Sequence, residues 1–343
     1  MMKNFATLSW QVDETTYRED SALSYSTISR YSKDGFSGIP HLFDKIDTPS
    51  LRFGSMVDLL LTSGTAAFEE KYSYAEFPQV SDSLRIIAQS LFSNYKDIYS
   101  KLEDIPDEII SNHGKELGYY SADKYDKLRV KNIREGCTVE YNILSENRDK
   151  IIVDKEDYMD AVACRDTLKT SNTTSYYFED NPFDIEVERF YQLKFRGEYE
   201  GIPIKGMLDL VMVDHVSKCI IPCDLKTTGK PEYEFYKSFM TYNYYIQAKM
   251  YTYLLQQTIL KDDFYKDYTI MPFRFIVINR KSLTPTIWVY SNTLNSPEET
   301  YSNVEIKDWM KLAKELYYYL NNDVKVPIGI KGINYIEEWL NKV

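Results

Sequence analysis

Hydrophobic and polar positions follow different rules in the two halves of the chain. The first twenty residues are polar and read as an extended or loosely docked lead-in. A short helix is expected from Ser24, with Ser26 or Thr27 able to cap it. Gly35, Gly38, Pro40 and Pro49 mark residues 35–50 as loop around a short turn at His41. Met56, Val57, Leu59, Leu60 and Leu61 then give a helix over 53–62 a wide buried face, with Asp58 set inside that apolar surround. Residues 82–150 are charged and helical in period, interrupted at Pro106. A further helix is expected over 151–169, capped around Asp154.

Beyond residue 180 the period shortens to that of strands. A strand over 185–195, a turn from Gly197 to Gly201 and a strand over 202–213 predict a hairpin. The polar turn Asp214 to Lys218 leads into a third strand, 219 to Lys226, which leaves through the loop Thr227–Pro231. A helix over 234–258 follows, then strands over 272–280 and 285–291, and helices near 304–321 and 333–341. This order predicts an α/β (α+β) fold: a central mixed β-sheet flanked by helices, with a helical N-terminal region. The expected parts are 1–180, 181–295 and 296–343, reading together as one structural unit.

The candidate chemistry lies in the strand-rich half. Met207–Val213 and Cys219–Cys223 look buried on both faces, where a charge is costly unless paired or metal-bound. Asp209 therefore requires a partner. Side chains alternate along a strand, so Asp224 and Lys226 project to one face, roughly 6 to 7 Å apart, while Leu225 points away. If the two strands are antiparallel neighbours, Asp209 sits beside Asp224. Two carboxylates with a main-chain carbonyl form a hard-oxygen site suited to Mg²⁺ or Mn²⁺. Lys226 can then hold or deprotonate an attacking water and offset phosphorane charge. Gln247 and Tyr251, four apart on one helix, can aim at the same water or phosphate.

These residues resemble the PD-(D/E)XK nuclease superfamily, with Asp209 as the first acid and Asp224-Leu225-Lys226 as its D-x-K element. Gln247 with Tyr251 resembles the Q-x-x-x-Y motif of the RecB-like branch. FYKSFMTYNYYIQAKMY (235–251) is similar to the helix of phage and prophage RecE-type (exodeoxyribonuclease VIII-like) exonucleases, and Lys237 within it is assigned to nucleic-acid binding. LRFGSMVDLLL (51–61), SYSTISRYSKDGFSGIPHLFD (24–44) and FRFIVINRKSLTPTIWVY (273–290) resemble further segments of that family. The resemblance implies a restriction-endonuclease-like core and a Mg²⁺-dependent deoxyribonuclease. It implies metal ligation by Asp209, Asp224 and the Leu225 carbonyl, helped by Asp58 and by an upstream glutamate, Glu188 or, at the same strand parity, Glu186. It also implies exonucleolytic digestion of duplex DNA ends for phage-type recombination or repair, a single-strand annealing partner and a ring-shaped homo-oligomer. Two departures stand out. The family's Arg-Pro before the first acid reads Met207-Leu208, and its N-terminal histidine falls on Asp58, itself a hard-metal ligand.

Charge and composition narrow the field. Lys124, Lys127, Lys131 and Arg134, with Arg129 close by, recur at near-helical spacing and offer a backbone-tracking stripe for DNA. The net charge of −11 runs against a general basic coat, so basic contacts must be local. Four scattered cysteines, Cys137, Cys164, Cys219 and Cys223, predict free thiols in a reducing cytoplasm, that of a bacterial host if the chain is phage-encoded. With none after Cys223, no iron–sulfur cluster is expected. Three unclustered histidines argue against zinc or triad chemistry, and the absence of a long apolar run predicts no membrane span. Tyr317, Tyr318 and Tyr319 read as packing residues. The alternatives to an exonuclease are an endonuclease or repair nuclease of the same fold, or a catalytically weak nuclease-fold module that binds DNA or protein.

Overall fold

A computed structural model describes residues 3–179, 186–291, 299–301 and 304–322. The chain forms α1 (Glu14–Glu19), β1 (Leu23–Ser24), α2 (Tyr25–Asp34), α3 (Pro49–Thr62), α4 (Gly64–Lys71), β2 (Tyr72–Ala75), α5 (Asp82–Tyr95), α6 (Asp107–Glu116), α7 (Asp126–Glu146), β3 (Ile151–Asp154), α8 (Lys155–Thr170) and α9 (Ser175–Phe178). It continues through β4 (Val187–Tyr199), β5 (Ile202–Asp214), β6 (Cys219–Thr228), α10 (Phe235–Thr241), α11 (Tyr244–Ile259), β7 (Thr269–Ile270), β8 (Phe273–Asn279), β9 (Pro285–Tyr290), β10 (Glu299–Tyr301), β11 (Val304–Ile306) and α12 (Trp309–Asn321). Residues 333–341, expected as a helix, lie outside the described residues.

The chain forms two compact units. One comprises Met1–Ile46, Asn172–Val277 and Pro285–Val343; the other comprises Asp47–Ser171 with Ile278–Thr284. The first is a mixed α/β unit whose central mixed sheet is flanked by helices. Its sheet runs β1-β5-β6-β8-β9, with β4 on β5 and β7 on β6.

The β4–β5 hairpin closes over Glu200 and Gly201, between paired Tyr199 and Ile202. Both turn residues have positive φ, which the glycine accepts without a Cβ penalty and which matches the twist of the strands. Leu210 through Val213 are all but fully buried, as in a strand covered on both faces. The β5–β6 turn is tied by Asp214, whose Oδ1 accepts from the amides of Val216 and Ser217 at 2.9 Å.

Helix α11 lies over this hairpin. Met250, Leu254 and Leu255 are buried with Phe195, Ile204 and Leu208, each such side chain contributing roughly 2 kcal/mol. The approach is close at Gly206, where an added Cβ would stand 2.7 Å from Cε1 of Tyr251 and 2.8 Å from its Cδ1. Gly206→Ala is therefore expected to destabilise the fold by about 1–3 kcal/mol, measured as a lowered urea midpoint; an unchanged midpoint would show that the helix can retreat at little cost.

Several local expectations are corrected. The first twenty residues are docked: Phe5 is fully buried against Phe190 and Tyr265, and Tyr17 of α1 is also buried. Lys205 of β5 holds the end of α1, its ammonium donating to the carbonyls of Tyr17 and Asp20 at 2.6 Å. Burial pulls the Lys205 pKa down, opposed by the charge of Asp20. Ser24, rather than Ser26 or Thr27, caps α2, in a reciprocal box with Thr27. Residues 151–154 are a strand, paired in parallel with β2, and Asp154 caps the helix that follows. The helix expected over 234–258 is broken at Asn243, a non-glycine residue at φ 54°. Residues 304–306 pair with β10, and α12 begins only at Trp309, capped by Asp308. Tyr319 packs edge-on against Phe36, whereas Tyr318 is largely exposed.

In the second unit, α5, α6 and α7 enclose Ile87, Leu91, Leu102, Ile110, Ile133, Cys137 and Tyr141. Arg280 joins Asp157 and Asp160 of α8 and lies 4.4 Å over the ring of Phe53. All four cysteines are free thiols, and burial pushes Cys137 and Cys164 up to about 12. Among the described residues no helix is long and apolar enough to cross a membrane.

Candidate active site

The site forms where two paired strands part. The β5–β6 ladder is antiparallel from Asp214↔Cys219 to Leu210↔Cys223, and one further step of that register sets Asp209 opposite Asp224. There the ladder ends. On the side β6 leaves, β1 pairs in parallel with Ile204 and Lys205. At the fork, Oδ2 of Asp209 accepts from the amide of Leu225 at 2.9 Å, which ties the first acid to the backbone of the D-x-K element.

Asp224 is only 2% exposed. Its Oδ1 accepts from Nε2 of Gln247, and its Oδ2 faces the ammonium of Lys226, which itself lies 4.7 Å over the ring of Tyr244. Burial alone would push the Lys226 pKa down; the charge of Asp224, with smaller contributions from Tyr244, Asp209 and Tyr25, raises it instead. The amide oxygen of Gln247, Oε1, is buried without a hydrogen-bond donor, as is Oδ2 of Asp224 apart from its ion pair. These atoms form a small, oxygen-rich spot facing one cation.

Tyr251 belongs to the same neighbourhood in another way. Its ring rests on Gly206, it is hydrogen-bonded to the main chain of Met207, and burial raises its pKa far above the usual phenol value. It braces β5 two residues before Asp209, a support the i, i+4 spacing from Gln247 does not convey.

Gln192 is a neighbour of Asp209 that the sequence pattern does not reveal. It stands between the pairs Tyr191↔Leu210 and Leu193↔Leu208, at φ 52°, and its Nε2 donates to Oδ1 of Asp209 at 3.3 Å. A left-handed backbone at a non-glycine strand residue costs about 1 kcal/mol or more and persists only where its surroundings impose it.

Glu188 is not beside the two aspartates. It pairs with Val213, four residues along β5 from Asp209, and its Oε2 bonds Nε2 of His215 at 2.7 Å; Nδ1 of that histidine meets the Tyr268 hydroxyl at 2.9 Å. Glu186 is exposed, and its carbonyl accepts from the amide of His215 at 2.8 Å. Asp58 is half-buried on α3, in the second unit. Lys237 is exposed and paired to Glu234 at 2.6 Å.

The expected basic stripe on α7 is thinned. Arg129 is fully buried, tied to Asp126, Ser111 and the carbonyl of Tyr120, and Arg134 anchors Asp107 and the carbonyls of Leu102 and Ile105. Arg129 shares a four-residue spacing with the buried Ile133, Cys137 and Tyr141, a core pattern that marks it as an interior residue. Lys124, Lys127 and Lys131 remain exposed; Lys124 lies over Tyr125 and Lys131 is 3.9 Å from Glu135.

Among the described residues no group of three or more His, Cys, Asp or Glu side chains is placed to hold a metal ion. The spot at Asp209 and Asp224 offers two carboxylates. That set suits an ion that keeps several waters, as Mg²⁺ does, and not a caged Zn²⁺.

No protein-family model matches the chain, and no curated protein does. Among solved structures it is similar to a candidate exonuclease from Eubacterium rectale, at 13% identity and a TM-score of 0.27, over 71% of this chain and 83% of that one. The functional reading therefore rests on the chain's own side chains.

Proposed function

We propose that this chain is a divalent-metal-dependent deoxyribonuclease built on a restriction-endonuclease-like core. The observation that carries the reading is the placing of Asp209 opposite Asp224 at a strand fork, with Lys226 on the same spot. An apolar core tolerates two facing carboxylates only if cations gather there, and the ammonium supplies one of them. Asp209, Asp224 and the Leu225 carbonyl would hold Mg²⁺ or Mn²⁺, which when bound contributes positive charge to a phosphodiester undergoing attack. Lys226 donates to a phosphate oxygen or orients the attacking water, Gln247 fixes the Asp224 carboxylate by its amide, and Gln192 orients Asp209. The resemblance of 235–251 and 24–44 to RecE-type enzymes narrows the proposal to an exonuclease acting on duplex ends in recombination or repair.

A second reading, a nuclease-fold binding module with weak catalysis, is favoured by the pairing of Lys226 with Asp224 and by the net charge of −11.

The test is digestion of end-labelled linear duplex and of closed circular DNA with Mg²⁺, Mn²⁺ or EDTA, beside Asp209→Asn. Metal-dependent loss of the linear substrate alone, absent in the variant, is the expected result. Cutting of the circle would convert the proposal to an endonuclease. No cleavage with either ion would leave the binding module.

A further inference from the structure

The break at Asn243 is a built feature. The Tyr242 carbonyl accepts from the hydroxyls of Tyr25 at 2.5 Å and Ser29 at 3.0 Å, both on α2. Asn243 is itself buried, its Nδ2 donating to Ser29 Oγ at 3.4 Å and its Oδ1 accepting from the Tyr245 hydroxyl at 3.1 Å. The left-handed residue interrupts the helical path between two successive aromatic side chains. Tyr244 lies half-buried under Lys226, while Tyr242 is 46% exposed.

These two rings are in tilted contact, with centroids 5.6 Å apart and planes inclined by 31°. The ammonium of Lys33, from the end of α2, lies 4.8 Å from the Tyr242 ring centre. The order from the site outward is thus Asp224, Lys226, Tyr244, Tyr242, Lys33. Tyr242 is thus the outer of the two rings counted from Lys226, about half of it open to solvent, with the mobile end of Lys33 over it. Core packing accounts for Tyr244 but not for holding Tyr242 in water at the cost of a left-handed asparagine.

We infer that Tyr242 and Lys33 form a nucleotide subsite next to the scissile phosphate: an unpaired base of a single strand stacks on the Tyr242 ring in place of the Lys33 ammonium, which swings to the neighbouring backbone phosphate. An aromatic face accepts any base, and the flanking ammonium groups complement the backbone, which is how single-stranded nucleic acid is held without sequence preference. The subsite gives the proposed nuclease its substrate form. The strand reaching Lys226 arrives unpaired, and a duplex must fray at its end to be cut. This inference rests on the nuclease reading for its meaning but not for its measurement.

The experiment is equilibrium binding of a fluorescent single-stranded oligodeoxynucleotide to the full chain in EDTA, where no cleavage occurs. Tyr242→Ala is expected to weaken binding by roughly tenfold, with Tyr242→Phe and Tyr242→Trp close to wild type. Lys33→Ala is expected to lower the slope of log Kd against log salt by about one. Blunt duplex should bind all forms alike. Tyr236→Ala is the control, since Tyr236 is 53% exposed with Lys237 5.9 Å over its ring but is not a member of the order from Asp224 to Lys33. Binding by Tyr242→Ala within twofold of wild type would overturn the subsite, as would equal losses in Tyr242→Ala and Tyr242→Phe or in Tyr242→Ala and Tyr236→Ala. Normal single-strand binding that depends on Tyr242, in a protein that cuts nothing, would overturn the nuclease proposal and leave the subsite standing.

Discussion

Asp224→Asn is expected to reduce metal-dependent cleavage of linear duplex DNA by about 10³-fold or more, with single-strand binding in EDTA retained. The substitution keeps side-chain volume and an oxygen for Gln247, so the fold should survive. It removes the charge that both a divalent ion and Lys226 require. The measurement is a single-turnover rate with enzyme in excess, which isolates chemistry from product release. A rate within tenfold of wild type would mean that the Asp209–Asp224 fork is not where phosphodiester attack is supported. An Asp209→Asn variant inactive beside an active Asp224→Asn would move the cation toward Asp209 and Gln192.

Lys226→Met is expected to destabilise the metal-free protein by about 3 kcal/mol, because it leaves the Asp224 carboxylate, 2% exposed, without its cation. Methionine preserves contact with the Tyr244 ring, so the loss reports charge and not packing. Urea unfolding in EDTA measures it. Added Mg²⁺ should restore much of the loss, since an ion that binds only the folded form stabilises by mass action. Cleavage by this variant should still be slower by orders of magnitude, because the ion replaces the pairing role of the lysine and not its proposed contact with phosphate. Unchanged stability in EDTA would show that Asp224 is neutralised by another route. Recovery of full activity with Mg²⁺ would confine Lys226 to a structural role.

The strand-borne part of the site was legible because buried strands expose charge economically. Asp209 interrupts an apolar run, and Asp224 with Lys226 follows the parity of a strand, so sequence spacing and three-dimensional spacing coincide. Gln247 lay within the same logic, one helix later. Other features depended on contacts that spacing does not encode. Gln192 reaches Asp209 through a left-handed backbone, and the sign of φ leaves no trace in hydropathy. Glu188 shares the parity of a ligand but meets His215 across the hairpin, a partner fixed by register and turn length together. The apolar period continues through Asn243, so a helix over 234–258 fits the pattern although hydrogen bonds from α2 hold it broken. Strands β2 and β3 are four residues each and pair in parallel across 75 intervening residues, too short and too distant to announce themselves.

The anchoring of the N-terminal segment has a consequence for how the chain is made. Lys205 closes α1 through the carbonyl of Tyr17, 188 positions earlier, and β1 has no strand partner until Ile204 exists. At about 5–20 residues per second, the ribosome leaves Phe5, Leu23 and Ile28 without their burial site for roughly ten to forty seconds. During that interval these three side chains stay without the core that covers them, so segment 3–46 completes its packing only after β5 has been made.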